Sequence, residues 1–536
     1  MSIAAHQEAE DAVFLKPHIK IEPLACGWYV WPHLVAPVQL AMNIKFRYLP
    51  LMKSFLSNPS VHATAARDPT LFGGPFVTLS ETDVPNVRKL MEDTIERCSE
   101  LITLAEDLRE LDVALQDGAS GFSLNEFYHK LPQSLRGLIE FTYDLNNHPA
   151  IRLFEELLYE DAISAHTQQI HLSPVCERDR CFFMYTPRLQ TPESMTFDMR
   201  FADERLDTLA SRRAHCGSFR NLARQFEVPQ DKLATFRAFF TTTPPTRPSS
   251  RHYAGDGVRV RYFGHACVLA QTARTSVLFD PMIATEKLDD GRLTIDDLPD
   301  FIDYVVITHD HQDHCCPEML VQLRHRIGRV IIPRNNSGSL GDPSMKMILK
   351  ALGFENIDVV DAFDSIPIPE GEITSLPFTG EHCDLNIHSK HAVLLALKER
   401  KLLFLVDSDG RDVALYQRLM RRIKTVDGLF LGMECDGAPL TWLYEPLLTK
   451  PINRKNNESR RLCGANCERA WNVWQAVKAS RVFIYAMGQE PWMRYIMGLE
   501  YTPDSIQLKE SDKFISQCIE AGAQAERLFG HRELMF

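Results

Sequence analysis

Hydrophobic and polar positions alternate with two different textures along the chain. In the second half, short apolar runs bounded by turn residues alternate with stretches of helical period. The runs predict strands at Val258–Tyr262, Val268–Ala270, Ser276–Phe279, Tyr304–Ile307, Val330–Ile332, Ala392–Leu397, Leu402–Val406, Leu429–Leu431 and Val482–Tyr485. Apolar residues at helical spacing predict helices at Pro317–Arg326, Met345–Leu352, Val413–Arg422, Cys467–Ala479 and Ser511–Ala521. Hairpins followed by strand–helix units fit two sheets sandwiched between helices, an αββα arrangement of the α/β class, rather than one doubly wound sheet.

The first half reads as α+β. Bulky β-formers around Ile19–Pro32 predict a small sheet. A helix should start at Asp83-Val84-Pro85, where proline in the first turn costs little, and an apolar stripe runs from Leu90 through Ile95, Cys98, Leu101, Ile102 and Leu108 to Leu111. Pro132–Phe141 and Ile151–Ile163 read as further helices. Between the halves, TTTPPTRPSSRHYAGDG (241–257) has no apolar periodicity and reads as a linker. The expected domains are residues 1–245 and 246–536.

Composition narrows the function. A chain of 536 residues exceeds what one core usually supports. Its formal charge of −12 argues against a nucleic-acid binder. No stretch has the roughly twenty apolar residues of a membrane span. The start, MSIAAHQEAEDAV, lacks the basic-then-apolar order of a signal peptide. Thirteen scattered cysteines suit reduced thiols, so a cytoplasmic location is expected. The close pairs Cys315/Cys316 and Cys463/Cys467 lack CxxC spacing and read as structural thiols.

The chemistry concentrates in YVVITHDHQDHCC (304–316). A buried strand delivers His309, His311, Asp313 and His314, with the first two imidazoles projecting to one side of an extended segment. Such donors bind divalent first-row metals, and an open strand mouth leaves positions for substrate or oxygen. This is the HxHxDH signature of the metallo-β-lactamase superfamily. VRVRYFGHACVLAQTARTSVLFDP (258–281) resembles that fold's opening hairpin and ends near Asp280. By that resemblance Asp280 holds a ligand histidine in its tautomer, and His265 is structural.

The superfamily usually adds a third histidine, a bridging aspartate and a last histidine. Here FTGEHCDL (378–385) offers Glu381 and His382, and LLFLVDSDG (402–410) offers Asp407. After Val482–Tyr485 the chain continues AMGQEPW with no histidine, and His531 reads as a surface residue. A set of three histidines and three carboxylates, oxygen-rich and open, tips the balance from zinc towards iron. A two-zinc hydrolase of lactonase or phosphodiesterase type, recruiting His382, is the alternative.

With HDHQDH, the GEH segment, the strand-ending Asp407 and a first half of this size, the whole chain resembles the diiron β-hydroxylases of nonribosomal peptide pathways. The resemblance implies a monooxygenase with two iron ions. His309, His311 and Glu381 would bind one iron, Asp313 and His314 the other, and Asp407 would bridge. It further implies O2, an external electron donor, and an amino acid held as a thioester on a peptidyl carrier domain and hydroxylated at Cβ. The first half would form a homodimer or shape the channel. Glu434, after the strand of LGMECDG, could approach the cluster. The basic loop KPINRKNNESRR, with Lys450, Arg454, Lys455, Arg460 and Arg461, is a candidate docking site for an acidic carrier.

Overall fold

A computed structural model describes residues 11–68, 71–160, 164–245, 249–287 and 291–536. The second half holds two seven-stranded sheets laid face to face. The first runs, in spatial order, Ile357–Val360, Ile327–Pro333, Ile302–Val306, Ser276–Phe279, Cys267–Gln271, Arg259–Gly264 and Arg532–Met535. The second runs Ser365–Ile368, Gly371–Leu376, Ala392–Leu397, Arg400–Val406, Gly428–Gly432, Arg481–Tyr485 and Gln524–Arg527. In the first sheet the strands from Ile357–Val360 to Ser276–Phe279 pair parallel and the rest antiparallel, whereas in the second those from Ser365–Ile368 to Arg400–Val406 pair antiparallel and the rest parallel. The last strand, Arg532–Met535, returns to the first sheet and pairs with Arg259–Gly264, so its Leu534 joins the inter-sheet core.

Alternation along each strand sorts side chains between two faces. Inward-facing Phe279, Phe404, Phe430 and Phe483 form an aromatic ladder with centroids 4.1, 4.5 and 4.9 Å apart. Such stacks add roughly 0.5–1.5 kcal/mol each beyond area burial. On the outer face of the second sheet, Leu403, Leu405, Leu429 and Leu431 meet helices Val413–Ile423, Cys467–Val477 and Ile506–Glu520. The outer face of the first sheet shares one continuous core with the first half of the chain.

That first half carries a four-stranded antiparallel sheet (Trp28–Tyr29, Lys20–Ala25, Gln168–Ser173, Met195–Asp198) among helices. It is joined to the second half by buried charge as well as apolar contact. Lys20 Nζ lies 2.7 Å from Glu286, and Arg180 bridges Glu22 and Glu318, each at 2.7 Å. The Tyr29 hydroxyl donates to the same Glu318 carboxylate at 2.7 Å.

Several expectations need correction. The stripe from Leu90 to Leu111 belongs to two helices, Val84–Arg97 and Ser99–Gly118, broken at Cys98 where φ is −110° and ψ 21°. Ile95, counted in the stripe, is exposed. Pro132–Phe141 is not a helix. Gly137 turns the chain with φ +78°, and Ile139–Tyr143 forms a hairpin strand with Pro149–Leu153. Ile139 and Phe141 are buried while Glu140 and Thr142 are not, a period of two that competes with the helical reading. Of Ile151–Ile163, only Glu155–Glu160 is helical, and residues 161–163 lie outside the described residues. The proline-rich segment 241–257 is fastened where it is described. Gln271 Nε2 donates to the carbonyls of Ser250 and Arg251, and Tyr253 N–H donates to Thr272. Residues 246–248 lie outside the described residues.

Candidate metal centre

The strand Ile302–Val306 is central in its sheet, and its C-terminal end opens into the loop that carries the histidines. Ile307 N–H still donates to Ile331, and Thr308 N–H then turns to Asp280 Oδ1 at 2.7 Å. Cys315 N–H closes back on the His311 carbonyl at 2.7 Å, and Pro317 opens the helix Pro317–Leu323. Four potential ligands are thereby packed into one tight turn with almost no exposure.

Distant strand ends complete the cluster. Asp407 follows Arg400–Val406, and its Oδ2 lies 3.1 Å from His314 Nε2 and 3.5 Å from His309 Nε2. Glu381 Oε1 lies 3.1 Å from His311 Nδ1. Asp313 Oδ2 lies 3.6 Å from His314 Nε2. Two overlapping ligand groups result, His309–His311–Glu381 and His309–His314–Asp407, each with its donor atoms within 4.8 Å of one another. Asp407 sits where one oxygen approaches imidazoles of both.

The other imidazole edges fix the tautomers. His314 Nδ1 donates to Asp280 Oδ2 at 2.9 Å, so Nε2 is the nitrogen aimed into the cluster and the one that would give up its proton to a metal. Thr308 Oγ1 gives its proton to Asp280 Oδ2 at 2.7 Å and accepts from His309 Nδ1 at 3.1 Å. His311 Nε2 meets the Tyr444 hydroxyl at 3.1 Å, which leaves Nδ1 for Glu381. The Nε2 atoms of His309 and His314 and the Asp407 Oδ1 are buried without hydrogen-bond partners. Orphaned inward-facing donors cost free energy unless a cation receives them. With three carboxylates alongside, the residues fit two divalent ions of oxygen-preferring type.

Electrostatics points the same way. Burial alone would raise the Asp313 carboxyl, but the imidazoles of His314 and His265 beside it hold it well below the usual carboxylate range. Burial also opposes protonation of His314, yet Asp407, Asp313 and Asp280 push it far above an ordinary histidine. Two metal ions would take over that positive role. Glu434 sits half-buried on the wall of the adjoining cavity. Burial, then the carboxylates of Asp313, Asp407 and Glu381, push its carboxyl well up, and bound cations would offset that repulsion.

The cavity has a volume of about 210 Å³ and reaches His311, Asp313, Glu381 and Asp407. Trp442, Leu462 and Met497 form apolar walls, and Arg461 stands among the lining residues. Trp442 is wedged in place. A Cβ on Gly498 would fall 2.2 Å from its ring, and one on Gly73, from the first half, 2.8 Å.

Residues read from sequence thus fall into groups. His309, His311, Asp313, His314, Glu381 and Asp407 come together, Asp280 lies on His314, and Glu434 borders the cavity. His382 turns its Nε2 away to Asp310 Oδ1 at 3.0 Å. His531 is exposed. Where a last histidine would follow Tyr485, Ala486 and Gly488 donate backbone N–H groups to His265. Tyr444, Trp442, Thr308 and Asp310 escaped the sequence reading, since none belongs to a spaced motif.

Comparison with known proteins agrees with this architecture. Residues 14–244 match the family described as diiron non-heme beta-hydroxylase N-terminal domain, and residues 259–389 match the beta-lactamase superfamily domain. The chain is 34% identical, over 97% of its length and 99% of the relative's, to the 4-amino-L-phenylalanyl-[CmlP-peptidyl-carrier-protein] 3-hydroxylase of Streptomyces venezuelae. The crystal structure of CmlA, a diiron beta-hydroxylase of the same organism, superposes with a TM-score of 0.91 at 33% identity, covering 98% of this chain and 99% of that one. A UPF0173 protein of Pyrococcus abyssi is 26% identical over 23% of this chain and 50% of its own.

Proposed function

The chain belongs to the diiron non-heme β-hydroxylase family, and from that premise we propose that it hydroxylates Cβ of an amino acid held as a thioester on a peptidyl carrier domain. It is an enzyme whose cofactor is two iron ions. The observation that carries the reading is Glu381 facing His311 where a zinc hydrolase would present an imidazole. With it the ligand set is half carboxylate, and His382, which the zinc alternative would recruit, is committed to Asp310.

In the proposed assignment His309, His311 and Glu381 would hold one iron, Asp313 and His314 the other, and Asp407 would be shared between them. Bound there, two irons would supply the redox chemistry of a monooxygenase, in which O2, two electrons from an external donor and two protons give the Cβ hydroxyl and one water. The rest falls to the protein. Asp280 and Thr308 fix the imidazoles by their second edges. Trp442, Leu462 and Met497 exclude water and hold the side chain, so that Cβ rests near the cluster. Glu434, whose carboxylate makes no hydrogen bond or ion pair among the described residues, is available to a polar group of the aminoacyl thioester. Glu434→Gln should keep both irons and lower turnover about tenfold to a hundredfold.

Arg461 stands at the cavity while Arg454 and Lys455 are exposed on the adjoining helix Arg454–Ser459. This basic mouth, on a chain of net charge −12, suits an acidic carrier whose arm bears a phosphate. Exposed Phe122 and Leu145 in the first half support a contact with a second copy, which sedimentation would reveal as a homodimer. No helix among the described residues is long and apolar enough to cross a membrane. A cytoplasmic site of action, with cysteines kept reduced, completes the reading. Incubating the reduced iron protein and O2 with carrier-bound amino acids tests it directly. Gain of one oxygen atom from labelled O2 is expected, whereas thioester hydrolysis without O2 would favour the zinc alternative.

A further inference from the structure

We propose that Arg460 is a positioning residue for Glu381, and that Arg460–Gly464 is a clasp fixing two carboxylate-bearing segments on either side of the cavity. The proposal rests on the diiron reading above.

Glu381 lies in an unusual stretch of backbone. Gly380, Glu381, His382, Cys383 and Asp384 have φ of +101°, +56°, +55°, +56° and +59°. L-residues visit this region singly, because Cβ crowds the following carbonyl, and four in succession persist only where the surroundings over-determine them. Gly380 must be glycine, since a Cβ there would fall 2.5 Å from the Asp409 side chain.

Interior groups hold the near flank of the stretch and His382 within it. Lys390 Nζ donates to the Gly380 carbonyl at 2.5 Å, Asp409 N–H donates to Thr379 at 3.1 Å, and His382 is tied to Asp310. The far side is held from outside the sheets. Arg460 Nε donates to the Cys383 carbonyl at 2.9 Å, two residues beyond Glu381. The neighbouring Asp384–Arg411 pair is exposed on both partners, so solvent screens it.

The same short segment reaches the other carboxylate. Leu462 N–H donates to the Ala438 carbonyl, the Leu462 carbonyl accepts from Gly437 N–H, and Gly464 N–H donates to the Glu434 carbonyl at 2.8 Å. Backbone bonds thus secure Glu434 and one guanidinium secures Glu381. Arg461 pairs with Asp436 and Glu458, which keeps the segment in place when Arg460 is replaced. Losing the Arg460 link should release the Glu381 side alone.

The test compares wild type, Arg460→Met, Arg460→Lys and Glu381→Asp as full-length iron-loaded protein, with Lys455→Ala as a loop control. Iron content, thermal midpoint and Mössbauer doublets are recorded. Arg460→Met, which keeps the length of the side chain and removes the donor, is expected to keep its midpoint and to shift the doublet of one iron in the direction of Glu381→Asp. Turnover should fall about tenfold. Arg460→Lys, which retains a donor, should lie between, and Lys455→Ala should match wild type. Doublets of Arg460→Met superimposed on wild type, while Glu381→Asp moves, would overturn the clasp. Cobalt(II) titration of the apo proteins, read by visible absorption, repeats the comparison without iron or O2. Wild type lacking iron refutes the diiron reading, whereas identical cobalt spectra for wild type and Arg460→Met refute the clasp.

Discussion

The imidazole of His265 faces the carboxylate of Asp313, Nε2 to Oδ2, at 3.1 Å. Its Nδ1 accepts the Gly488 N–H at 3.0 Å, so the neutral ring carries its proton on Nε2. An Nε2 that holds a proton cannot also ligate a metal. His265 therefore orients Asp313, although its position beside Asp313 and His314 would pass for a third ligand. His265→Ala should weaken metal binding about tenfold to a hundredfold, and His265→Gln, which can still donate, should weaken it less. Metal titration of the apo protein distinguishes the two.

Asp280 offers a second test of the supporting shell. It accepts from His314 Nδ1, Thr308 N–H and Thr308 Oγ1, all within 2.9 Å. Its φ of +37° is one that asparagine also tolerates, so Asp280→Asn changes charge with little backbone cost. The neutral amide no longer enforces a proton on His314 Nδ1. Loss of the metal on the Asp313–His314 side, measured as iron per chain, is the expected outcome.

Stability should carry a pH signature from Glu155. Its carboxylate accepts from Ser344 N–H at 2.8 Å, but burial dominates and raises its pKa to about 7. Between the unfolded value near 4.5 and that folded value, the native state binds the proton more tightly. Stability is accordingly lost as pH rises through this window, by roughly 3 kcal/mol at most. Glu155→Gln should flatten the slope, being little changed at pH 5 and more stable than wild type at pH 8. Urea denaturation at the two pH values checks it.

The wedge around Trp442 predicts a change in selectivity. Gly498→Ala places a Cβ against the indole in a backbone of φ +66°, where alanine is itself strained. The ring should move into the cavity and raise KM more for large substrate side chains than for small ones. Trp442→Phe should partly restore the double variant, a coupling expected of residues in contact. Equal KM changes across side-chain sizes would count against Trp442 as a wall.

Legibility in the sequence followed locality. Ser276–Phe279 and Ala392–Leu397 end on the residues that apolar runs alone predicted. The hairpin Ser365–Ile368 and Gly371–Leu376 was missed because its outer positions are polar and two prolines interrupt it. Arg532–Met535 was missed because an edge strand of such composition has little apolar signal. In the site, four ligands within six residues were visible as a motif. Glu381 and Asp407 were found through a resemblance, whereas Tyr444 reaches His311 only through tertiary folding. Cys26 and Cys98, read as scattered thiols, lie 3.0 Å apart for the same reason. Their contact depends on how the helix break at Cys98 meets the turn after Ala25.

The ion pairs between the halves also limit how this chain can be recombined. Glu286 and Glu318 belong to the metal-bearing half, yet the cations that neutralise them, Lys20 and Arg180, belong to the other. Uncoupling one such buried pair costs roughly 3–5 kcal/mol, a large share of a typical fold's margin. The catalytic half is therefore a poor candidate for transplantation. A chimera would have to import matching cations with its new first half, so selection acts on the two halves as a single heritable unit.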